Sequence, residues 1–172
     1  LLIFGGGHIS LSLARIGKMV DFRVVVIDDR PEFANAERFP EADETIAEDM
    51  TSVMQRLDIN SSSYIVIVTR GHQNDTQVLE WAVATPAAYV GMIGSKRKIQ
   101  TIFSYLKTKG ITQEQLDRVH SPIGLPIGAE CGVDPMDGAL AVEVVAHVVF
   151  ARPQHLHRCA VHFPCNDGSF HR

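Results

Sequence analysis

Cysteine is scarce in this sequence: three residues in 172, Cys131, Cys159 and Cys165, all in the C-terminal part of the chain. They are too few and too late for a disulfide framework, and they suit a reducing compartment. Long apolar runs are lacking as well. Stretches such as Tyr64 to Val68 fall far short of the roughly 20 residues that a membrane helix needs, and no charged-then-apolar leader is expected. A cytoplasmic protein with no membrane partner is the expectation. An excess of positive charge is also missing. Sixteen Lys and Arg stand against twenty Asp and Glu, a net charge of −4, so the overall field does not draw nucleic acid and any anion site must be local. What remains is an ordinary globular composition, 45% hydrophobic and 21% charged, in a chain long enough to form a core without metal or disulfide. The chain opens on Leu1, without Met and already inside an apolar run, so a fragment of a longer protein is expected.

Leu1 to Phe4 is a short apolar run that ends in Gly5-Gly6-Gly7, after which Ile9, Leu13, Ile16 and Val20 recur at helical spacing. Strand, glycine turn and helix follow in that order. Arg23 to Ile27 reads as a second strand buried on both faces, closed by Asp28-Asp29. Pro31, Asn35 and Pro40 make the next segment a structured loop anchored by Phe33 and Phe39, and Thr45 to Ala47 reads as a short third strand. Thr51 is the expected cap of a helix through Leu57. Strand Tyr64 to Val68, helix Gln73 to Ala84, strand Ala88 to Ile93 and a Ser95-capped helix through Leu106, closed by Gly110, complete the alternation. A helical turn over Gln113 to Leu116 leads into the Pro122 to Gly128 loop, and Met136 to Ala151 reads as a buried closing helix. Strands alternating with helices predict an α/β, Rossmann-like three-layer domain with a doubly wound parallel sheet, over residues 1–152. The His/Cys-rich tail, 153–172, is expected to be disordered.

In such sheets ligands bind outside the carboxyl ends of the strands, and the chemically distinctive residues all fall there. Gly5-x-Gly7-x-x-Ser10 has the context of a dinucleotide fingerprint, with Gly5 at the turn, Gly7 where a pyrophosphate approaches, His8 opening the helix, and serine in place of the third glycine. Asp28 stands where a carboxylate accepts ribose hydroxyls. Arg30 beside it can pair with Asp28, stack on adenine or bind phosphate, while plain turn chemistry before Pro31 also accounts for Asp28 and Asp29. Thr69-Arg70-Gly71-His72 follows the fourth strand, and Asp75 lies three residues beyond His72, so His72 and Asp75 are candidates for proton transfer or ligand orientation, or else for helix capping. Ser95, Lys96, Arg97 and Lys98 gather three cations and a hydroxyl at a helix start. Cations there oppose the helix dipole, which favours a local anion site over a purely structural role. His120-Ser121-Pro122 and the loop to Glu130 read as a stiff lid or cleft wall, with Glu130 a ligand contact or helix cap. His155, His157, Cys159, His162 and Cys165 have soft ligands but no finger spacing, so no metal site is assigned.

Six blocks in this order carry a resemblance: Gly5-Gly-Gly-His-Ile-Ser10, Asp28-Asp-Arg-Pro-Glu-Phe-Ala-Asn35, Glu37-Arg-Phe-Pro40, Val68-Thr-Arg-Gly-His72, Gly91-Met-Ile-Gly-Ser-Lys-Arg-Lys98 and His120-Ser-Pro-Ile-Gly124. Together they resemble the Rossmann domain of the XdhC/CoxI family of xanthine dehydrogenase accessory proteins, from Leu1 to about Ala151. The segment Cys131 to Gly138 is longer than the family's usual passage into its last helix, and the tail beyond Pro153 has no family counterpart. The resemblance implies a maturation factor that binds molybdenum cofactor, protects its sulfurated form and delivers it to a molybdenum hydroxylase of the xanthine dehydrogenase type. A sulfur-transfer enzyme is a further implied partner, and a homo-oligomer is expected. On that reading Gly5, Gly7, His8 and Asp28 form one side of the site, Arg30 and Thr69 are further cofactor-binding candidates, Ser95, Lys96 and Arg97 neutralise phosphate, and His72 with Asp75 orients the pterin or its molybdenum ligands. No cysteine lies within residues 1–128, so a persulfide carrier there is excluded and sulfur chemistry would need Cys131, the tail or another protein. Two other functions fit the residues. An NAD-dependent oxidoreductase domain would use His72 as acid or base, and a non-catalytic nucleotide-sensing module would use the glycine turn and Asp28 to bind NAD or another adenine nucleotide.

Overall fold

The computed structural model describes residues 1–124. The Glu130 contact, the Met136 to Ala151 helix, the tail and all three cysteines lie outside the described residues. Six strands form one parallel sheet: β1 (Leu2–Phe4), β2 (Val25–Asp28), β3 (Glu44–Ala47), β4 (Tyr64–Ile67), β5 (Tyr89–Met92) and β6 (Val119–His120). Their order across the sheet is β3-β2-β1-β4-β5-β6. The chain winds outward to β3 and then returns past β1 to start again at β4, which leaves a crevice between the carboxyl ends of β1 and β4.

The central strands are buried along their whole length, as β1, β2, β4 and β5 must be when both faces of a sheet are covered. Alternate residues feed two cores. Leu2, Phe4, Val25, Ile27, Ile65 and Ile67 pack against helices α2 (Met50–Arg56), α3 (His72–Ala82) and α4 (Lys96–Thr108), while Ile3, Val24, Val26 and Val66 pack with Leu13 and Ala14 of α1 (His8–Met19). Phe39 anchors the loop between β2 and β3 in the second core, as its sequence position predicts. Helix ends follow local chemistry. Ser95 accepts from the Lys98 amide at the start of α4, Gly110 takes φ +90 after its end, and Thr112 with Gln115 forms a capping box on α5 (Gln113–Asp117).

Two local expectations are corrected. Asp49, not Thr51, caps α2, because its carboxylate accepts from the Ser52 amide at 3.0 Å; Thr51 is already inside the first turn. Val119–His120, expected to lead only into a cleft-wall loop, pairs with Val90 and Gly91 as a sixth strand. Two residues carry too little pattern to announce a strand, and the edge of β5 supplies the pairing.

Candidate functional site

The glycine turn is built by close approach of three backbones. Gly5 adopts φ +110, and a Cβ there would be driven into the Val68 carbonyl at the end of β4. A Cβ on Gly6 would enter the Phe33 carbonyl of the β2–β3 loop, whereas Gly7 has nothing within 4 Å of where its Cβ would stand. The steric demand therefore falls on Gly5 and Gly6, and the backbone at Gly7 faces open space. Ser10, fully buried, donates its hydroxyl to the Gly5 carbonyl at 2.5 Å. Serine in the third fingerprint position thus keeps the helix close to the strand and also ties the turn. Gly7 is the N-cap of α1, and among the described residues no side chain caps that end and no acid lies in its first turn. His8 is exposed at the first helical position.

Asp28 is buried at the end of β2, and all of its acceptor directions are engaged. Its Oδ2 accepts from the Gly6 amide at 2.8 Å and from Arg30 Nη2 at 3.0 Å; its Oδ1 accepts from Arg30 Nε at 2.8 Å and from the Arg30 amide at 3.1 Å. The Arg30 guanidinium lies 3.6 Å from the Phe33 ring centroid. Burial alone pushes the Asp28 carboxyl up, but the Arg30 side chain and the Gly6 and Arg30 amides outweigh it and hold the group below its ordinary value. A depressed folded-state value stabilises the fold above the unfolded carboxyl range, about pH 4, and that contribution fades as pH falls through the folded value. Asp28→Asn is accordingly expected to be less stable than the native chain at pH 7, with the gap in melting temperature closing below about pH 4. A gap that stays constant as the pH is lowered well below the carboxyl range would remove Asp28 from the acid response.

Arg38, which belongs to the Glu37-Arg38-Phe39-Pro40 block but was not expected in the site, reaches the same turn. Its Nε donates to the Gly6 carbonyl at 3.0 Å, and its Nη2 is buried with no hydrogen-bond partner among the described residues. A buried guanidinium nitrogen beside an uncapped helix start is a donor set for an anion. The block itself is the only signal in the sequence, and only the fold shows that it lies against the glycines.

At β4 the expected pairing of His72 with Asp75 is divided. Asp75 is fully buried on α3, accepts from the Thr69 hydroxyl at 2.5 Å and forms an ion pair with Lys98 of α4. His72 is exposed at the start of α3, where it helps line an open groove of about 550 Å³ between α3 and α4 with Thr76, Glu80, Thr101 and Tyr105. Thr69 and Asp75 form one cluster with Lys98, while Ser95, Lys96 and Arg97 stand at the start of α4 on the same sheet edge, Lys96 and Arg97 exposed. Of the three cations in that run, Lys98 is turned inward. Neither a group of three or more metal-ligating side chains nor a helix long and apolar enough to cross a membrane occurs among the described residues.

Comparison with known proteins agrees with this architecture. The XdhC Rossmann domain family matches residues 1–148. The chain is 30% identical over 150 residues to the uncharacterized protein YqeB of Escherichia coli K12, covering 87% of this chain and 26% of that one. It is 27% identical over 152 residues to a probable xanthine dehydrogenase component of Bacillus subtilis, covering 88% of this chain and 42% of that one. A crystal structure described as a xanthine dehydrogenase from Bacillus halodurans superposes with a TM-score of 0.73 at 26% identity, over 92% of this chain and 44% of that one. The chain thus spans less than half the length of each of these relatives. With a six-stranded parallel sheet in Rossmann order and a family match over most of its length, the chain belongs to the XdhC Rossmann domain family.

Proposed function

We propose that this domain is the cofactor-handling part of an accessory protein for a molybdenum hydroxylase of the xanthine dehydrogenase type, and that it holds molybdenum cofactor by its phosphate end. The observation that carries the reading is the buried Arg38 Nη2, without a hydrogen-bond partner among the described residues, beside a start of α1 that no described side chain caps. Family membership and the names of the relatives support the client class. The donor set fits the phosphate end of the group. The first backbone amides of α1, which no side chain caps among the described residues, the Arg38 guanidinium, and the exposed Lys96 and Arg97 are all cationic or electropositive, and both buried carboxylates on this edge are neutralised by Arg30 and Lys98. When bound, the cofactor supplies the molybdenum centre that the client enzyme uses. The residues here bind and orient: the glycine turn admits the ligand close to the backbone, and His72, exposed at the start of α3, is available to the pterin. Among residues 1–128 there is no thiol, so protection of the sulfurated form by that part of the chain would rest on enclosure. Hydride transfer with NAD is less well supported, since Asp28 is already occupied.

Isothermal titration of the full chain with molybdenum cofactor, beside NAD and NADP at equal concentration, tests the reading. Preferred binding of molybdenum cofactor is expected, and a preference for NAD would overturn it. Lys96→Ala with Arg97→Ala is expected to weaken cofactor binding by about tenfold or more without lowering the melting temperature, as loss of charge-assisted contacts does. Unchanged affinity would take the start of α4 out of the site.

A further inference from the structure

In a dinucleotide domain the acidic residue at the end of the second strand is the reader of the adenosine ribose, because its carboxylate accepts from the two hydroxyls of the diol. That role requires free acceptor directions. Asp28 occupies the position but has none to offer: it takes one hydrogen bond from the Gly6 amide and three from Arg30. Arg30 approaches it with two guanidinium nitrogens in fork geometry, the arrangement in which arginine pairs most strongly with a carboxylate. The guanidinium is also held from another side, 3.6 Å from the Phe33 centroid, and its side chain is only 20% exposed. Arg38 lies 5.2 Å from the same ring, so Phe33 is in contact with two guanidinium groups. Phe33 is itself fixed by the turn in which its amide donates to the Arg30 carbonyl at 2.9 Å.

We infer that Arg30 is a specificity-determining residue that closes the ribose-diol subsite, with Asp28 acting as its internal partner rather than as a reader of ligand hydroxyls. The pair turns an acidic subsite into a neutral one walled by Arg30 and Arg38. A free vicinal diol loses its acceptor there, and to regain it a ligand must break a buried, fourfold hydrogen-bonded ion pair. An anionic substituent at that point meets guanidinium instead of carboxylate. The domain therefore keeps the dinucleotide fold while discriminating against ligands recognised through a free adenosine diol. This inference concerns the subsite around Asp28 and does not depend on which cofactor the domain carries.

The test uses ADP-ribose and 2′-phospho-ADP-ribose as probes, titrated calorimetrically against the full chain, Arg30→Met and Phe33→Ala. Arg30→Met keeps an apolar stem on Phe33 and frees Asp28. Phe33→Ala leaves the cation in place but removes its seat. Circular dichroism and melting curves check that each variant is folded. The native chain is expected to bind ADP-ribose at least tenfold more weakly than Arg30→Met does, with Phe33→Ala in between. The 2′-phosphorylated probe is expected to lose affinity in Arg30→Met. The inference is overturned if the native chain binds ADP-ribose as tightly as Arg30→Met. It is equally overturned if neither folded variant gains affinity, because freeing Asp28 would then not open the subsite. Titration of molybdenum cofactor against the same proteins separates this result from the proposed function, which stands or falls on the native chain's cofactor binding.

Discussion

Gly6→Ala is expected to lower stability by about 3 kcal/mol, a substantial part of the roughly 5–15 kcal/mol that holds an ordinary domain together. The new methyl group meets the Phe33 carbonyl, which is backbone and has no rotamer with which to move aside. The Arg30-to-Phe33 turn and the Gly6 amide bond to Asp28 would have to shift together. Gly5→Ala should be at least as damaging, since φ +110 and the Val68 carbonyl both oppose it. Gly7→Ala should behave oppositely. Its Cβ meets nothing and its φ of −73 suits any residue, so stability should change by less than about 1 kcal/mol while anion binding at the start of α1 weakens. In a domain of this size about 3 kcal/mol is a drop of roughly 6–12 °C in melting temperature, so thermal melts of the three variants decide the matter. Equal losses at all three positions would mean that the turn relaxes as a unit.

Lys98→Met is expected to cost about 3 kcal/mol, because it strands a fully buried Asp75 carboxylate with only the Thr69 hydroxyl as donor among the described residues. Removing one partner of a buried pair exposes the desolvation penalty of the other, which is larger than the net contribution of the intact pair. The double variant Asp75→Asn with Lys98→Met should recover at least half of the loss, since the stranded charge is gone. Lys18→Met is the control. It breaks the pair with Asp43, in which both side chains are 35% exposed, and should change stability by less than about 1 kcal/mol. The double-variant cycle, measured by urea unfolding, gives the coupling directly. Coupling between Asp75 and Lys98 no greater than at the surface pair would show that water screens the inner one.

Much of the fold is legible along the chain because the central strands are buried, largely apolar runs separated by caps and turn residues, each a local signal. Val119–His120 is the exception, since two residues have no period and pairing with β5 alone makes them a strand. The glycine turn is also legible, but its internal division of labour is not. The fingerprint marks Gly5 and Gly7, while the residue that closes against Gly6 is Phe33, far along the chain in the next loop. Arg38 is hidden for the same reason, being 32 positions from the carbonyl it binds. Spacing also places His72 and Asp75 together near one helix end, yet the packing of α3 against α4 turns Asp75 inward to Lys98 and leaves His72 outside.

By itself, then, the sequence determined the alternation of strands and helices, the parallel sheet, and the edge of that sheet on which the chemistry gathers, because these follow from periodicity and caps within a few residues. Only the tertiary structure decided which charges remain available there. Asp28 and Asp75 look alike in the sequence as acids beside a ligand edge, and each is consumed by a cation that folding brings to it. Whether a buried carboxylate serves a ligand or the fold depends on which donors lie within about 3 Å of it, and that distance is set by packing rather than by spacing.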